Sequence, residues 1–327
     1  MFELPSILRS QELLDKAFGR AAKATAKGKD RPARARNLAV ARVQIAGQAI
    51  ESTLHGYVKA FPNLDGLPPF YRELVDILVE RGKLKKHLGA LDWAADAAAR
   101  ITREYARRIG RAEGKDLSRL RQEAFGRLAS LVHQVGDDLD ALVEARTALR
   151  RVPSIDPDVP TIVVAGYPNV GKSAFVRAIS TGRPKVADYP FTTKGVSLGH
   201  LEIEGRRVQV LDTPGLLDRP MERRNRIERQ AIAGLAYLAD VVVFLLDPTE
   251  TCGYPLGDQL GLLESVRSEF PDVSLVVLEN KSDLNGPSKG HPRISAVTGD
   301  GVPDALDRLR AALTSRGPGG GPRRGAS

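Results

Sequence analysis

The stretch TIVVAGYPNVGKS, residues 161–173, limits what this chain can fold into more than any other. Its apolar, β-branched start reads as a buried strand, and the pattern G-x-x-x-x-G-K-[ST] that follows is a phosphate-binding loop opening a helix. Glycines let backbone N–H groups turn inward around phosphates, and the helix N-terminus adds the positive end of its dipole. Tyr167, Pro168, Asn169, Val170, Gly171, Lys172, Ser173 and Ala174 are therefore expected to contact the nucleotide. Lys172 is placed to reach the β- and γ-phosphates, and the Ser173 hydroxyl to ligate Mg²⁺.

Strands and helices alternate after this loop. Strands are expected at 161–166, Val196–Ile203, Arg207–Asp212, Val241–Leu246, Ser274–Glu279 and Arg293–Ala296, and helices near Lys172–Ser180, Glu222–Leu238, Asp258–Glu269 and Val302–Leu313. The tight turn Glu204-Gly205 makes the second and third of these strands antiparallel. The remainder forms parallel crossovers, giving an α/β P-loop GTPase domain with a six-stranded, mostly parallel sheet over residues 161–315.

Further motifs fall at the carboxyl ends of these strands, where open α/β sheets bind ligands. Asp212-Thr-Pro-Gly215 lies 46 residues after Gly166. Its carboxylate is expected to hold Mg²⁺ through water, and the Gly215 N–H to touch the γ-phosphate and so sense hydrolysis. Asn280-Lys281-Ser282-Asp283 chooses the base: the Asp283 carboxylate can accept from guanine N1–H and the 2-amino group, a donor pair adenine lacks. Lys281 can lay its stem over the ring, and Asn280 can tie this loop to the phosphate loop. Ser295-Ala296 is expected to bring a backbone N–H to guanine O6. In Tyr189-Pro-Phe-Thr192-Thr193-Lys-Gly195, a threonine, Thr193 or alternatively Thr192, can complete the Mg²⁺ shell. Lys172, Thr193, Asn169 and Gly215 are the candidate catalytic residues, and Ser173, Thr193 and Asp212 the candidate metal ligands. Leu216 stands where the best-known small GTPases place a water-orienting glutamine, so unaided hydrolysis should be slow. Other translation-related GTPases use an asparagine at this place to hold a K⁺ that bridges the phosphates, so Asn169 either resembles them in that role or caps the loop's own backbone.

The first half reads differently. Residues 6–150 look helical nearly throughout, so residues 1–152 are expected to form an all-α helical bundle domain, followed by a Pro-rich linker at 153–160. Leu117, Leu120, Ala124, Leu128, Leu131, Val135, Leu139, Leu142 and Leu149 keep one apolar stripe, read as a single helix. Other helices are expected near Asn37–Phe61, Tyr71–Val79 and Lys83–Arg111. The tail 316–327, RGPGGGPRRGAS, has the composition of a disordered, basic segment.

Charge separates the halves too. Residues 1–160 carry 28 Lys and Arg against 21 Asp and Glu, whereas residues 161–315 carry 18 against 19. The basic surplus points to a polyanionic partner, with Lys16–Arg42, including Lys23, Lys27, Lys29, Arg31, Arg34 and Arg36, as the candidate contact stretch. One cysteine, Cys252, excludes an intramolecular disulfide, and His55, His87, His133, His200 and His291 lack metal-ligand spacing. No apolar run reaches the roughly 20 residues of a bilayer span, and the start lacks the order of a secretory signal, so a cytoplasmic protein without a membrane partner is expected.

GYPNVGKS, YPFTTKG, DTPGLLDRP with MERRNRIERQAI, FLLDPTETCGYPLGDQ and NKSD together resemble the nucleolar GTP-binding protein (NOG) family of Obg-related GTPases. LPPFYRELVDILV and the long helices after it are similar to that family's N-terminal helical domain, so the resemblance covers most of the chain. It implies a short, archaeal-type member that binds GTP and GDP and acts in assembly of the large ribosomal subunit, with ribosomal RNA of its precursor as partner. Two other readings compete with it. One is a signalling switch whose helical half binds a protein effector, and the other is a module that holds GTP without turning it over.

Overall fold

Small, apolar side chains decide how the N-terminal helices pack. We describe a computed structural model, in which residues 4–152, 154–187, 195–219, 224–284 and 286–315 are described. Among the described residues six helices precede the phosphate loop: α1 (Ser10–Ala22), α2 (Arg31–Ala60), α3 (Pro69–Val79), α4 (Arg81–Gly110), α5 (Lys115–Gln134) and α6 (Gly136–Leu149). α2 lies against α4 along its length, and Val43, Ala46, Ile50 and Leu54 meet a stripe containing Leu91, Ala94, Ala95 and Ala98, all fully buried. Ala39, Val43, Tyr105, Ile109, Leu120 and Ala124 continue this core onto α5. Asp30 caps α2 by accepting the Ala33 N–H at 2.7 Å, ahead of Pro32 in the first turn.

The expected single helix over 117–149 is two. Val135, with φ −101° and ψ 19°, ends α5, and Gly136 starts α6. Val135 and Leu139 are both buried, so the apolar stripe crosses the break uninterrupted. That continuity is why periodicity alone merges the two.

The chain divides into two compact units, and the division departs from a simple cut at residue 152. Phe2–Leu64 and Leu78–Arg150 form one unit, while Asp65–Ile77, carrying most of α3, belongs with Arg151–Ser327. A buried phenol ties these two segments together. The Tyr71 hydroxyl donates to the Ile155 carbonyl and accepts the Ile155 N–H at 2.9 Å. Burial pushes this phenol up to about 12, so it stays neutral. The expected linker is fastened to the same unit: Asp156 exchanges two hydrogen bonds with the Gln209 side chain, at 3.1 and 2.8 Å.

The second unit continues with β1 (Thr161–Ala165), α7 (Lys172–Ile179), β2 (Lys185–Ala187), β3 (Val196–Ile203), β4 (Arg206–Asp212), α8 (Arg226–Ala236), β5 (Val241–Leu246), α9 (Leu256–Glu269), β6 (Ser274–Glu279) and α10 (Val302–Thr314). The sheet order is β2-β3-β4-β1-β5-β6, parallel from β4 to β6 and antiparallel across β2-β3-β4. Glu204 and Gly205 both take positive φ, 52° and 73°, as a two-residue hairpin turn requires. The sheet has the expected six strands, but their membership differs. Residues 293–296 make only one parallel bridge, Glu279 to Arg293, because the Ser295 N–H turns away to the Asp300 carbonyl. The sixth strand is β2, too short to carry a readable alternation. α8 starts at Arg226 rather than Glu222, set by the reciprocal cap between Asn225 and Glu228.

Candidate functional site

β1, β4, β5 and β6 run parallel, so their carboxyl ends bring residues 166–173, 212–218, 247–255 and 280–283 to one edge of the sheet. Two glycines are dictated there. A Cβ on Gly166, at φ 132°, would lie 2.6 Å from the Leu245 carbonyl oxygen, and one on Gly171, at φ 101°, would lie 2.2 Å from Asn280 Nδ2. Only glycine allows the loop to approach its neighbours so closely.

Lys172 is buried and donates to the carbonyls of Gly166 and Tyr167 at 2.7 and 2.8 Å, which aims it back over the loop. Burial lowers its pKa, and the nearby carboxylates of Asp212 and Asp218 oppose that shift. Ser173 Oγ donates to Asp212 Oδ2 at 2.5 Å, while Asp212 Oδ1 is buried without a hydrogen-bond partner. Burial raises the Asp212 pKa against the lowering effects of Ser173 and Lys172. Asn169 is exposed with φ 61°, and among the described residues its side chain makes no hydrogen bond, so of its two alternative roles the backbone cap is not formed here. Thr192 and Thr193 lie outside the described residues. Leu216 is fully buried.

The base loop is tied to the phosphate loop as its sequence suggests. Asn280 Nδ2 donates to the Val170 carbonyl at 2.7 Å, joining the base loop to the phosphate loop. The Ala296 N–H, expected to face the base, donates instead to Asn280 Oδ1 at 3.0 Å, and the Ser295 N–H donates to Asp300. The next N–H, that of Val297, makes no hydrogen bond among the described residues and is a second candidate donor beside Ala296. Asp283 sits exposed in a 3-10 turn, Ser282–Leu284.

Sequence reasoning missed the residues that hold these groups in place. Asp247, wholly buried after β5, accepts Lys281 Nζ at 2.7 Å and the Cys252 N–H at 2.8 Å, as well as both threonine hydroxyls of Thr249 and Thr251. Burial alone would raise its pKa, but these hydrogen bonds and the Lys281 charge hold it below the usual carboxylate value. Gln259 accepts the Asp247 N–H and donates to the carbonyls of Asp247 and Tyr254. The Tyr254 ring packs on Tyr167 of the phosphate loop, with centroids 4.5 Å apart. Residues 247–255 thus join the phosphate loop to the base loop. Glu279, also buried, accepts the N–H groups of Lys289 and His291. The motif DPTETCGYPLGDQ contained this signal, as a carboxylate followed by hydroxyls and a distant glutamine.

Two further residues surround Gly215. Its N–H donates to Asp218 Oδ2 at 2.8 Å, and its carbonyl accepts from Arg224 at 2.9 Å. The Arg224 side chain is fully buried, also donates to the Arg219 carbonyl at 2.8 Å, and stands 3.8 Å from Asp218.

The helical unit carries its charge outside. Lys23, Lys27, Lys29, Arg31 and Arg34 are exposed, but Arg36 donates to the Ala112 carbonyl and pairs with Glu113 at 2.9 Å, so it serves structure. A groove of about 470 Å³ on α4, lined by Arg100, Arg103, Glu104, Arg107, Arg108 and Arg111, adds a second basic surface that the sequence reading does not single out. Its arginines recur at helical spacing, and all five are exposed.

Comparison with known proteins matches both parts of the chain, with a helical-domain model that runs through Asp65–Ile77. The family model described as the NOG1 N-terminal helical domain matches residues 2–156, and that of nucleolar GTP-binding protein 1 (NOG1) matches 226–283. The model of ferrous iron transport protein B matches 160–252, within the nucleotide unit. An uncharacterised protein of Methanocaldococcus jannaschii is 37% identical over 86% of this chain and 80% of its own length. Nucleolar GTP-binding protein 1 of Saccharomyces cerevisiae is 34% identical over 87% of this chain but only 45% of its own length. A crystal structure of a nucleolar GTP-binding protein 1 from Plasmodium falciparum is 34% identical, covering 50% of this chain and 91% of that one, with a TM-score of 0.46. Among the described residues no helix is long and apolar enough to cross a membrane.

Proposed function

Because this chain belongs to the nucleolar GTP-binding protein 1 family of P-loop GTPases, we propose that it binds GTP with Mg²⁺, hydrolyses it slowly to GDP and phosphate, and acts in the cytoplasm as a switch in large-subunit ribosome assembly. The chain spans less than half the length of the yeast relative, and the proposal concerns what its own two units do. The observation that carries the chemistry is the meeting of Lys172, Ser173 and Asp212 beside a base loop tied to the phosphate loop by Asn280.

Ser173 and Asp212 offer hard oxygen donors, and the unpartnered Oδ1 of Asp212 fits a Mg²⁺ shell. Bound there, the ion would neutralise charge on the β- and γ-phosphate oxygens. Lys172 adds a positive charge held in place by two carbonyls, and Asp283 reads the guanine edge. No group at Leu216 orients water, so turnover by the protein alone should be on the order of 10⁻⁴ to 10⁻² s⁻¹. Asn169, free of the loop backbone, suits a K⁺ site. Replacing K⁺ by Na⁺ should lower the rate, and Asn169→Ala should remove the difference between the two salts.

The arginines of α4 and the basic stretch before α2 suit the phosphate backbone of ribosomal RNA, which makes RNA of the large-subunit precursor the partner of the helical unit. The test is co-sedimentation with large ribosomal subunits, expected with a non-hydrolysable GTP analogue bound and absent with GDP. Equal sedimentation with both nucleotides would remove the switch. No sedimentation with either would remove the ribosomal partner in favour of a protein effector.

A further inference from the structure

A backbone N–H has one hydrogen to give, and that of Gly215 is already given. In nucleotide switches of this architecture the N–H of the DTPG glycine is the group that detects the third phosphate, a role that rests on the reading of the site above. Here it donates to the Asp218 carboxylate at 2.8 Å, a normal charge-assisted hydrogen bond.

The bond is braced from its other side. The Arg224 guanidinium, fully buried, donates to the carbonyls of Gly215 and Arg219 and so closes the 215–219 turn at both ends. Its two acceptors are neutral, and its Nε is buried with no partner. Asp218 lies 3.8 Å from this cation, which holds the carboxylate toward the turn. The Asp218 charge also reaches Lys172 and Asp212, so it stands within the electrostatic field of the phosphate site.

A carboxylate oxygen and a γ-phosphate oxygen are the same kind of acceptor, and two anions sharing one donor repel each other. We propose that Asp218 is a specificity-determining residue for the third phosphate: its carboxylate holds the Gly215 N–H that a γ-phosphate oxygen needs, so GTP must break a bond that GDP leaves intact. The residue therefore lowers affinity for GTP relative to GDP and keeps the switch in its GDP-like arrangement until GTP is in excess. Arg224 is a positioning residue in this scheme, because it fixes the peptide on which the competition takes place.

The test measures equilibrium affinity of the full chain for GDP and for a non-hydrolysable GTP analogue, in wild type, Asp218→Ala and Asp218→Asn. Removing the competing carboxylate should tighten the analogue by about tenfold in Asp218→Ala, with GDP moving less than about twofold. Asp218→Asn retains a neutral acceptor of the same shape and should fall between. If Asp218→Ala is too unstable to measure, the Asn variant carries the result, since its shape preserves the turn. Asp218→Glu, which restores the charge, should return the ratio of the two affinities toward wild type. A merely structural Asp218 would shift both nucleotides by the same factor, and a residue that assists γ-phosphate binding would weaken the analogue. Either outcome overturns the proposal. Failure of wild type to bind either nucleotide would instead overturn the reading of the site itself, which keeps the two tests distinct.

Discussion

The helical unit and the nucleotide unit bury different chemistry. Among the described residues, apart from tyrosines such as Tyr57 and Tyr71, the buried polar or charged side chains, from Thr161 and Lys172 through Arg224 and Asp247 to Asn280 and Ser295, follow residue 160. The helical core is built from Ala, Leu, Val, Ile and a few aromatic rings, and its charges form surface pairs such as Arg108 with Glu104 and Arg119 with Asp116. Burying a polar group is costly unless its hydrogen bonds are remade inside. One unit meets that cost where a nucleotide would sit. The other buries little polar surface beyond tyrosine hydroxyls such as that of Tyr57, which accepts the Leu8 N–H, and keeps its charge on the surface.

The largest effect should come from the most heavily bonded buried group. Asp247→Ala removes the acceptor for Lys281, Thr249, Thr251 and the Cys252 N–H together. Loss of one partner from a buried ion pair costs about 3–5 kcal/mol, and denaturant unfolding should report a loss of that order. Because the Asp247 pKa is held below its unfolded value of 3.8, its stabilisation is complete above about pH 5 and is lost as pH falls through the unfolded and then the folded value. A change under about 1 kcal/mol, the range of a surface charge, would break the contrast between the units.

Asp283→Asn acts on binding rather than on folding, because that carboxylate is exposed. Losing charge-assisted bonds worth roughly 1.5–3 kcal/mol each should weaken GTP at least about tenfold and give xanthosine triphosphate a new advantage. Competition binding measures both. Unchanged GTP affinity would remove Asp283 from the base site.

Tyr71→Phe tests which unit α3 serves. The change strands the buried N–H and carbonyl of Ile155 and should cost about 1–3 kcal/mol in thermal unfolding of the nucleotide unit. A loss confined to the helical unit's transition would place α3 on the other side of the division.

The smallest effect on stability should follow charge reversal of Arg100, Arg103, Arg107 and Arg111, about 0.5 kcal/mol or less for each exposed position. RNA affinity should nevertheless fall, and its salt dependence should flatten by about one log–log unit for each phosphate that is no longer neutralised. Reversal of Lys27, Lys29 and Arg34 provides the comparison, and Arg36 is left alone because it braces α2 against the end of α4. An unaltered salt slope in both variants would return these arginines to the role of a solvated face.

Sequence by itself determined the family and the motifs of the nucleotide unit: Gly166, Lys172, Asp212 and Asn280 were legible because each belongs to a short motif at the end of a strand. It also determined the helical character of the first half, since an apolar stripe repeats locally. Tertiary structure decided what depends on distant partners. Asp247 finds Lys281 across 34 positions, and Tyr71 finds Ile155 across 84, pairings that no local spacing announces. Structure also decided that Val135 breaks a stripe whose apolar period continues unchanged, that three residues at 185–187 pair as a strand while 293–296 do not, and that the Gly215 N–H is held by Asp218. In each case the deciding quantity is where a hydrogen-bond donor finds its acceptor, and that is set by the path of the whole chain.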